Sequence, residues 1–296
     1  MCASCGVAAV DDVKLKLCDD GCDLVKYCGD GCQENHREQH NNECKKRVDE
    51  LHDKELFTQP DGSYLGECPI CFLPLPIDER KSTMMSCCCK IICDGCNVAN
   101  KKREKEEGLE HRCCAFCREP VPKLQEEVDK RVMKRIKKYN DPGAMTYMGH
   151  QHENEGDLAK AFEYYTKAAE LGDVGAYFRL GCLYDTGNGV EKDTKKAVYH
   201  FEQAAIGGHP YASGLLGFLE LENGRFERAA KHFIISANLG DEDSLQEVKR
   251  LFMRGIVSKE EYADALRAYQ AAVNEAKSPE REASVFAVRQ EDCITS

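Results

Sequence analysis

The chemistry written most densely into this chain is that of thiols at short gaps. Cys2 and Cys5 are separated by two residues, Cys18 and Cys22 by three, Cys28 and Cys32 by three, and His40 and Cys44 by three. A second run holds Cys68 and Cys71, the triplet Cys87, Cys88 and Cys89, then Cys93 and Cys96, and finally Cys114 and Cys117 with Cys113 adjacent. Gaps of two or three residues let one turn of backbone aim two side chains at one point. Four soft ligands around one point is the tetrahedral requirement of zinc. The first run offers eight ligand-type side chains and the second ten Cys for eight slots, so the expectation is four zinc ions, two in each run. The first twenty residues show no basic stretch followed by an apolar one, so no signal peptide is expected. In a reducing compartment, cytoplasm or nucleus, thiols at this spacing read as metal ligands rather than disulfides.

Positioning these ligands requires a division of the chain. Of 19 Cys in 296 residues, only Cys182 and Cys293 lie beyond Cys117. A Cys-rich front is therefore followed by a Cys-poor back. Charged residues make up 31% of the chain and its formal net charge is −11, before any thiolate is counted. Metal binding makes the front more acidic still, which argues against general nucleic-acid binding. One basic stretch stands apart: Lys130, Arg131, Lys134, Arg135, Lys137 and Lys138, read as a solvated linker helix over about Leu124–Tyr139. No apolar run approaches the roughly 18–20 residues of a membrane span. No nucleophile–base pair, phosphate loop or carboxylate dyad stands out. His40 and Cys44 fall in QENHREQHNNECKKRVDEL, whose composition predicts a helix that puts both on one face. The stretch NKKREKEEGLEH predicts a second, charged helix.

The front resembles two families. Residues 2–44, with YCGDGCQENHREQHNNEC and its seven-residue gap from Cys32 to His40, resemble a MYND zinc finger. The resemblance implies interleaved ligation: Cys2, Cys5, Cys28 and Cys32 on one zinc, and Cys18, Cys22, His40 and Cys44 on the other. It also implies binding of short proline-containing peptides. Arg37 stands where the family often has Trp, and His36 is read as a packing or surface residue. Residues 67–122, with CPIC, CCCKIICDGC and CCAFCREPVP, resemble an all-Cys RING finger. That implies a cross-braced module with Cys68, Cys71, Cys93 and Cys96 on one ion, and Cys114, Cys117 and two of the triplet on the other. Lys90 occupies the position where a common RING has a His ligand. The favoured pair is then Cys87 with Cys88, leaving Cys89 and Cys113 spare, with His111 as the outside candidate. The RING resemblance assigns docking of a ubiquitin-conjugating enzyme to Ile70, between two ligands. It assigns Arg118, just after the last ligand, to bridging that enzyme and ubiquitin, for which a planar guanidinium is suited.

The back repeats itself. DPGAMTYMG, DVGAYFRLG, HPYASGLLG and a degenerate DEDSLQEVK begin at residues 141, 173, 209 and 241. Each unit reads as helix, Gly-containing turn, helix, Gly stop, with Gly172, Gly208 and Gly240 at helix C′ positions. Ala144, Ala176 and Ala212 allow close helix approach. Tyr164, Tyr165, Tyr184 and Phe201 read as core, His150 and His152 as surface. One such unit cannot bury its own apolar face, so the units must stack. The spacing resembles the Sel-one-like repeat, a relative of the tetratricopeptide repeat.

The expected organisation is a multidomain chain: two small cross-braced zinc-binding modules of α+β type followed by an all-α helical-repeat solenoid. Its parts are 1–44 MYND-type finger, 45–66 helical extension and linker, 67–122 RING-type finger, 123–140 basic linker helix, 141–277 repeats with a C-terminal cap, and 278–296 flexible tail. The resemblances imply a zinc-binding protein-interaction protein: a RING-type ubiquitin ligase whose repeats recruit substrate, or alternatively a non-catalytic scaffold with every module a protein dock. The partners expected are proteins, held by the repeats and the MYND finger, with a ubiquitin-conjugating enzyme in the ligase reading.

Overall fold

A computed structural model describes residues 1–4, 16–27, 29–109 and 112–284 of the chain, which separates into two units, residues 1–58 and 59–296. In the first unit, β1 (Lys16–Leu17) pairs antiparallel with β2 (Lys26–Tyr27), and the long helix α1 (Asp30–Leu56) follows. Helix α1 is polar almost all round. It lacks the continuous apolar stripe that normally holds a helix to a core. Its buried positions include His40 and Cys44. The core they adjoin is built from Cys2, Cys18, Cys22, Tyr27 and Cys44, with Val25, Cys32 and Val48 packed on it.

The second unit opens with the other Cys-rich module. Strands β3 (Ser82–Met85) and β4 (Lys90–Cys93) form an antiparallel hairpin, with Ser82 opposite Cys93 and Met85 opposite Lys90. The hairpin loop is therefore Ser86 and the Cys triplet. Strand β4 runs directly into helix α2 (Asp94–Glu106), with Cys93 at its N-cap. The core of the module is Cys68, Leu75, Met85, Ile92, Cys93 and Cys114.

Helix α3 (Gln125–Tyr139) covers the stretch read as a linker, but it is a packing element. Val132 is fully buried with Ala144 and Met148, and Val128, Met133 and Ile136 flank them. Met84 and Cys89 of the hairpin pack on the same cluster. Paired helices follow: α4 (Pro142–Asn154) with α5 (Leu158–Glu170), α6 (Val174–Thr186) with α7 (Thr194–Ile206), α8 (Pro210–Glu222) with α9 (Phe226–Asn238), then α10 (Glu242–Met253) and α11 (Lys259–Glu275).

Two devices repeat. The first helix of each pair starts at a side-chain N-cap: Asp141, Asp173, His209 and Asp241 accept from the backbone N–H of Ala144, Ala176, Ala212 and Ser244. A helical glycine in the first three pairs then receives an aromatic ring from the second helix. A Cβ at Gly149, Gly181 or Gly217 would stand 2.5, 2.5 or 2.8 Å from Tyr165, Phe201 or Phe233. These glycines serve close approach, not turning. The C′ glycines behave as expected, with φ of +82°, +84° and +100° at Gly172, Gly208 and Gly240. Tyr165 and Phe201 are fully buried, as read from the sequence. Tyr164 packs on the first-repeat core, and Tyr184 stacks on His200 at 5.5 Å. His150 and His152 are half-buried rather than surface residues, ringed by Tyr165 and Tyr164.

The expected tail from residue 278 is corrected in part. Residues 279–284 are helical, and Arg281 and Ser284 are buried. Ser278 caps this turn by accepting from the Arg281 N–H, and Pro279 stands at its first position. Proline there is preorganised for helix, so Ser278-Pro279 starts a helical segment as well as ending α11. Residues 285–296 lie outside the described residues.

His209 departs from the Asp used at the other three caps, and its surroundings give the reason. Its ring is sandwiched between Tyr64 at 4.6 Å and Phe178 at 4.1 Å, both nearly parallel to it. Nδ1 accepts from Ala212 N–H, which only an unprotonated nitrogen can do. Burial, with the Arg179 charge adding, pushes its pKa down from 6.5 to about 3. Below about 6.5 the unfolded chain takes up a proton that the folded chain refuses. Stability is therefore lost as pH falls from about 6.5 toward 3, by about 2 kcal/mol at pH 5 from this residue. His209→Asn keeps a capping acceptor and removes the titration. Between pH 7 and pH 5 its melting temperature should fall by roughly 4–8 °C less than that of wild type, as followed by circular dichroism.

Candidate metal centres

The first centre is assembled from a strand-end turn and a helix. Cys18 leaves β1 into a tight turn closed by Gly21 N–H on Cys18 O at 2.9 Å, and Cys22 follows. His40 and Cys44 lie one turn apart on α1. The four ligand atoms of Cys18, Cys22, His40 and Cys44 lie within 4.8 Å of one another, and all four residues are buried. Cys22 Sγ is 3.1 Å from His40 Nε2, and the sulfurs of Cys18 and Cys44 are 3.7 Å apart. His36 stays outside the cluster, meeting the Tyr27 hydroxyl at 3.0 Å through Nδ1 and stacking on His40. Cys2 is buried and Cys32 packs on the same core. Their expected companions, Cys5 and Cys28, lie outside the described residues.

The second module contains two further clusters. Cys68, Cys71, Cys93 and Cys96 form one, and Cys87, Cys88, Cys114 and Cys117 the other, each again within 4.8 Å. Membership alternates along the chain, so each cluster joins pairs separated by a pair of the other. Two similar knuckles supply half the sulfurs. In Cys68–Cys71 the Phe72 N–H donates to Cys68 O and the Cys68 N–H to Leu73 O, both at 2.9 Å. In Cys114–Cys117 the Arg118 N–H donates to Cys114 O at 3.0 Å and the Cys114 N–H to Glu119 O at 2.8 Å. Phe72 and Arg118, the residues that close these turns, both have left-handed backbone, with φ of +57° and +65°.

The donor sets fit zinc. Four ligands about 2.3 Å from a central ion in a tetrahedron stand about 3.8 Å apart. Cys71–Cys93 and Cys88–Cys114 are 3.8 and 3.9 Å apart. Burial and the neighbouring sulfurs work against ionisation in the absence of metal: Cys44 is pushed up to about 12 by burial and by Cys22 and Cys18. Burial also raises Cys88, to about 11, with Cys114 adding. At Cys68 burial acts the same way, but N–H donors of Cys71, Cys93 and Ile70 outweigh it and bring the thiol to about 7. A divalent ion is what makes four adjacent thiolates tolerable.

Cys89 and Cys113 take no part in either cluster. Cys89 packs with Met84 against the Val132 cluster, and burial raises its pKa to about 11. The Cys113 N–H donates to Glu104 Oε1 at 2.9 Å. His111 lies outside the described residues.

Ile70 is half-buried against its own module's core. Arg118 donates to Asn100 Oδ1 at 3.0 Å. Asn100 in turn donates to Glu104 Oε1 at 2.9 Å and to Cys113 O at 3.1 Å, tying α2 to the second knuckle. Sequence reasoning missed this network, whose acid is buried inside an apparently solvated charge run. It also missed Phe72, 71% exposed, directly after the first knuckle. An aromatic one residue past a CxxC pair was the available signal.

Comparison with known proteins supports part of this picture. Residues 2–44 match the MYND finger family, and residues 142–173 and 174–209 each match the Sel1 repeat. The chain is similar to DAP3-binding cell death enhancer 1 of Mus musculus, 24% identical over 46% of this chain and 34% of that protein. The Rattus norvegicus protein of the same name is 25% identical over 49% of this chain and 37% of its own length. The chain thus spans about a third of these relatives. Among solved structures, a Sel1 repeat protein from Oxalobacter formigenes has 24% identity and a TM-score of 0.45, covering 62% of this chain and 72% of that one. The protective antigen c5321 of uropathogenic Escherichia coli, described as an SLR fold, has 20% identity and a TM-score of 0.44, covering 66% and 41%. The family matches and the sulfur clusters give the chain a zinc-binding MYND finger followed by Sel1 repeats, both protein-interaction modules.

The hairpin cluster is checked by zinc content. Cys88→Ser should lower bound zinc by about one ion per chain in elemental analysis, whereas Cys89→Ser and Cys113→Ser should match wild type. Loss of zinc in Cys113→Ser with none in Cys88→Ser would reverse the assignment.

Proposed function

We propose that this chain is a zinc-dependent scaffold holding four zinc ions. In this reading the MYND finger docks short peptides and the repeats dock a second protein. The RING-like module, ligated by Cys68, Cys71, Cys93 and Cys96 and by Cys87, Cys88, Cys114 and Cys117, is built into the repeat unit. The observation that carries this reading is how that module and the segment leading into it, residues 59–66, are engaged by the repeats. Tyr64 stacks on His209, and its N–H donates to Gly208 O at 3.2 Å. Glu79 takes the Tyr64 hydroxyl at 3.3 Å and lies 3.6 Å from the Arg179 guanidinium. Asn238 donates to Gln59 at 2.9 Å. Interaction partners are proteins, in keeping with relatives named for binding DAP3. The basic helix α3 commits Arg135 to Asp141 and its apolar face to the repeats, while Lys130, Lys134, Lys137 and Lys138 stay exposed on its outer face. No described helix is long and apolar enough to cross a membrane. Thiols gathered in fours belong in a reducing compartment, cytoplasm or nucleus.

A second reading, a RING-type ubiquitin ligase, is favoured by Phe72 and Phe116, exposed by 71% and 45% on the two knuckles. Burying one such side chain on a conjugating enzyme would contribute about 1.5–3 kcal/mol. Ile70 is less available than its position suggested, and Arg118 would have to leave Asn100 to bridge enzyme and ubiquitin.

The two readings separate in a discharge assay with the zinc-loaded full chain and a broad panel of charged conjugating enzymes. The scaffold reading expects no acceleration of ubiquitin discharge. Acceleration that falls at least tenfold in Phe72→Ala, or in Arg118→Ala at unchanged zinc content, would establish the ligase. Ile70→Ala should have the smaller effect on enzyme binding.

A further inference from the structure

Arg281 reaches across more than 200 residues of sequence to the first knuckle of the second module. One terminal nitrogen donates to Cys71 Sγ at 3.4 Å and to Leu73 O at 3.2 Å. The other donates to Pro74 O at 2.6 Å and to Ala276 O at 2.7 Å. The residue is 8% exposed, and its Nε–H is buried with no partner among the described residues. The start of α2 is shaped around it: a Cβ on Gly95, the residue before Cys96, would stand 2.9 Å from Arg281 Cγ.

Burying a guanidinium is costly unless something of opposite sign receives it. Among the described residues, no carboxylate is among its hydrogen-bond acceptors. They are three carbonyls and the sulfur of a cluster residue. Four thiolates around one divalent zinc leave two net negative charges at Cys68, Cys71, Cys93 and Cys96. With zinc bound, that partly buried site would be the anion the guanidinium faces.

We propose that Arg281 is an outer-sphere cation of this zinc site, and that through it zinc loading and docking of residues 276–284 stabilise each other. The inference rests on zinc occupying this cluster. Donation from N–H to a ligand sulfur draws charge off the thiolate and opposes its loss to protons or competing metals. The carbonyl bonds hold the knuckle that presents Cys71. By linkage, whatever the cation adds to zinc retention, zinc adds to retention of the C-terminal helical turn. Outer-shell partners of metal sites are typically worth 10–100-fold in affinity.

The test uses the zinc-loaded full chain, with zinc transfer to a chromogenic chelator and hydrogen exchange over residues 276–284 as readouts. Arg281→Met, neutral and of similar reach, should release one zinc per chain at least tenfold faster than wild type. Arg281→Lys, which keeps the charge, should recover a large part of that loss. Gly95→Ala, which displaces the arginine without touching charge or ligand, should follow the Met variant. In wild type, stripping zinc should raise exchange at residues 276–284. Wild-type release kinetics in both Arg281→Met and Gly95→Ala would overturn the proposal. So would equal behaviour of the Lys and Met variants, which would make the contact packing alone. The metal assignment fails separately, if Cys68→Ser leaves the zinc content of the chain unchanged.

Discussion

The structure depends on replacing a hydrophobic core with metal–thiolate bonds wherever the chain is too polar to build one. Helix α1 is the clearest case. It runs 27 residues with few apolar side chains, and His40 and Cys44 sit among its few buried positions. A unit of 58 residues has too little interior to offset its conformational entropy by apolar burial alone. Binding free energy at a structural zinc, on the order of 10 kcal/mol or more, is the size of a small domain's whole stability. The metal thus decides whether the polar helix has anything to pack against.

The repeat half solves the same problem by stacking. Each of the first three helix pairs lets a ring from one helix lie on a glycine of its neighbour, as Phe201 does on Gly181, so backbones approach within van der Waals contact of a full aromatic. The side-chain caps at 141, 173 and 209 share a register with these glycines, eight residues on. Close packing and helix starts are therefore set by the same repeat. The pattern breaks at position 209, where the cap is also a stacking surface for Tyr64. An aspartate would cap as well but could not form the sandwich with Phe178 and Tyr64.

These facts divide what was legible in the sequence from what was not. Ligand spacing is local: two sulfurs on one turn must point together, so the pairs could be read from gaps alone, whereas which pairs share an ion, and the choice of Cys87 and Cys88 over Cys89, came from the resemblance to cross-braced fingers. The repeats were legible because periodicity survives substitution, whereas the reciprocal cap of Ser258 and Glu261 that starts α11 emerges only from the structure. Contacts between elements without a period were not legible. Helix α3 looked solvated because six basic residues mask the four apolar ones, Val128, Val132, Met133 and Ile136, that pack inward. Ser278-Pro279 looked like a stop, since the same two residues serve as a helix end and as an N-cap with proline at the first position. Nothing near Arg281 in sequence says that its partner lies at Cys71.

Seen physically, the second module and the solenoid solve each other's boundary problems. A repeat stack needs covered ends, and a small zinc module needs more buried surface than it can make alone. At the front of the stack, Met84 and Cys89 of the hairpin pack on α3 and α4. Along its length, Tyr64 and Glu79 engage His209 and Arg179. At the far end the turn after α11 sends Arg281 to the first knuckle. Each contact uses a different physical type: apolar burial, ring stacking with an ion pair, and a cation on a thiolate site. Only the last places a cation on a metal-site sulfur. The apolar contact is nonetheless tied to the second cluster, because Cys89 directly follows Cys88 in the hairpin loop. The module's sulfur clusters and the solenoid therefore meet at both ends of the repeats.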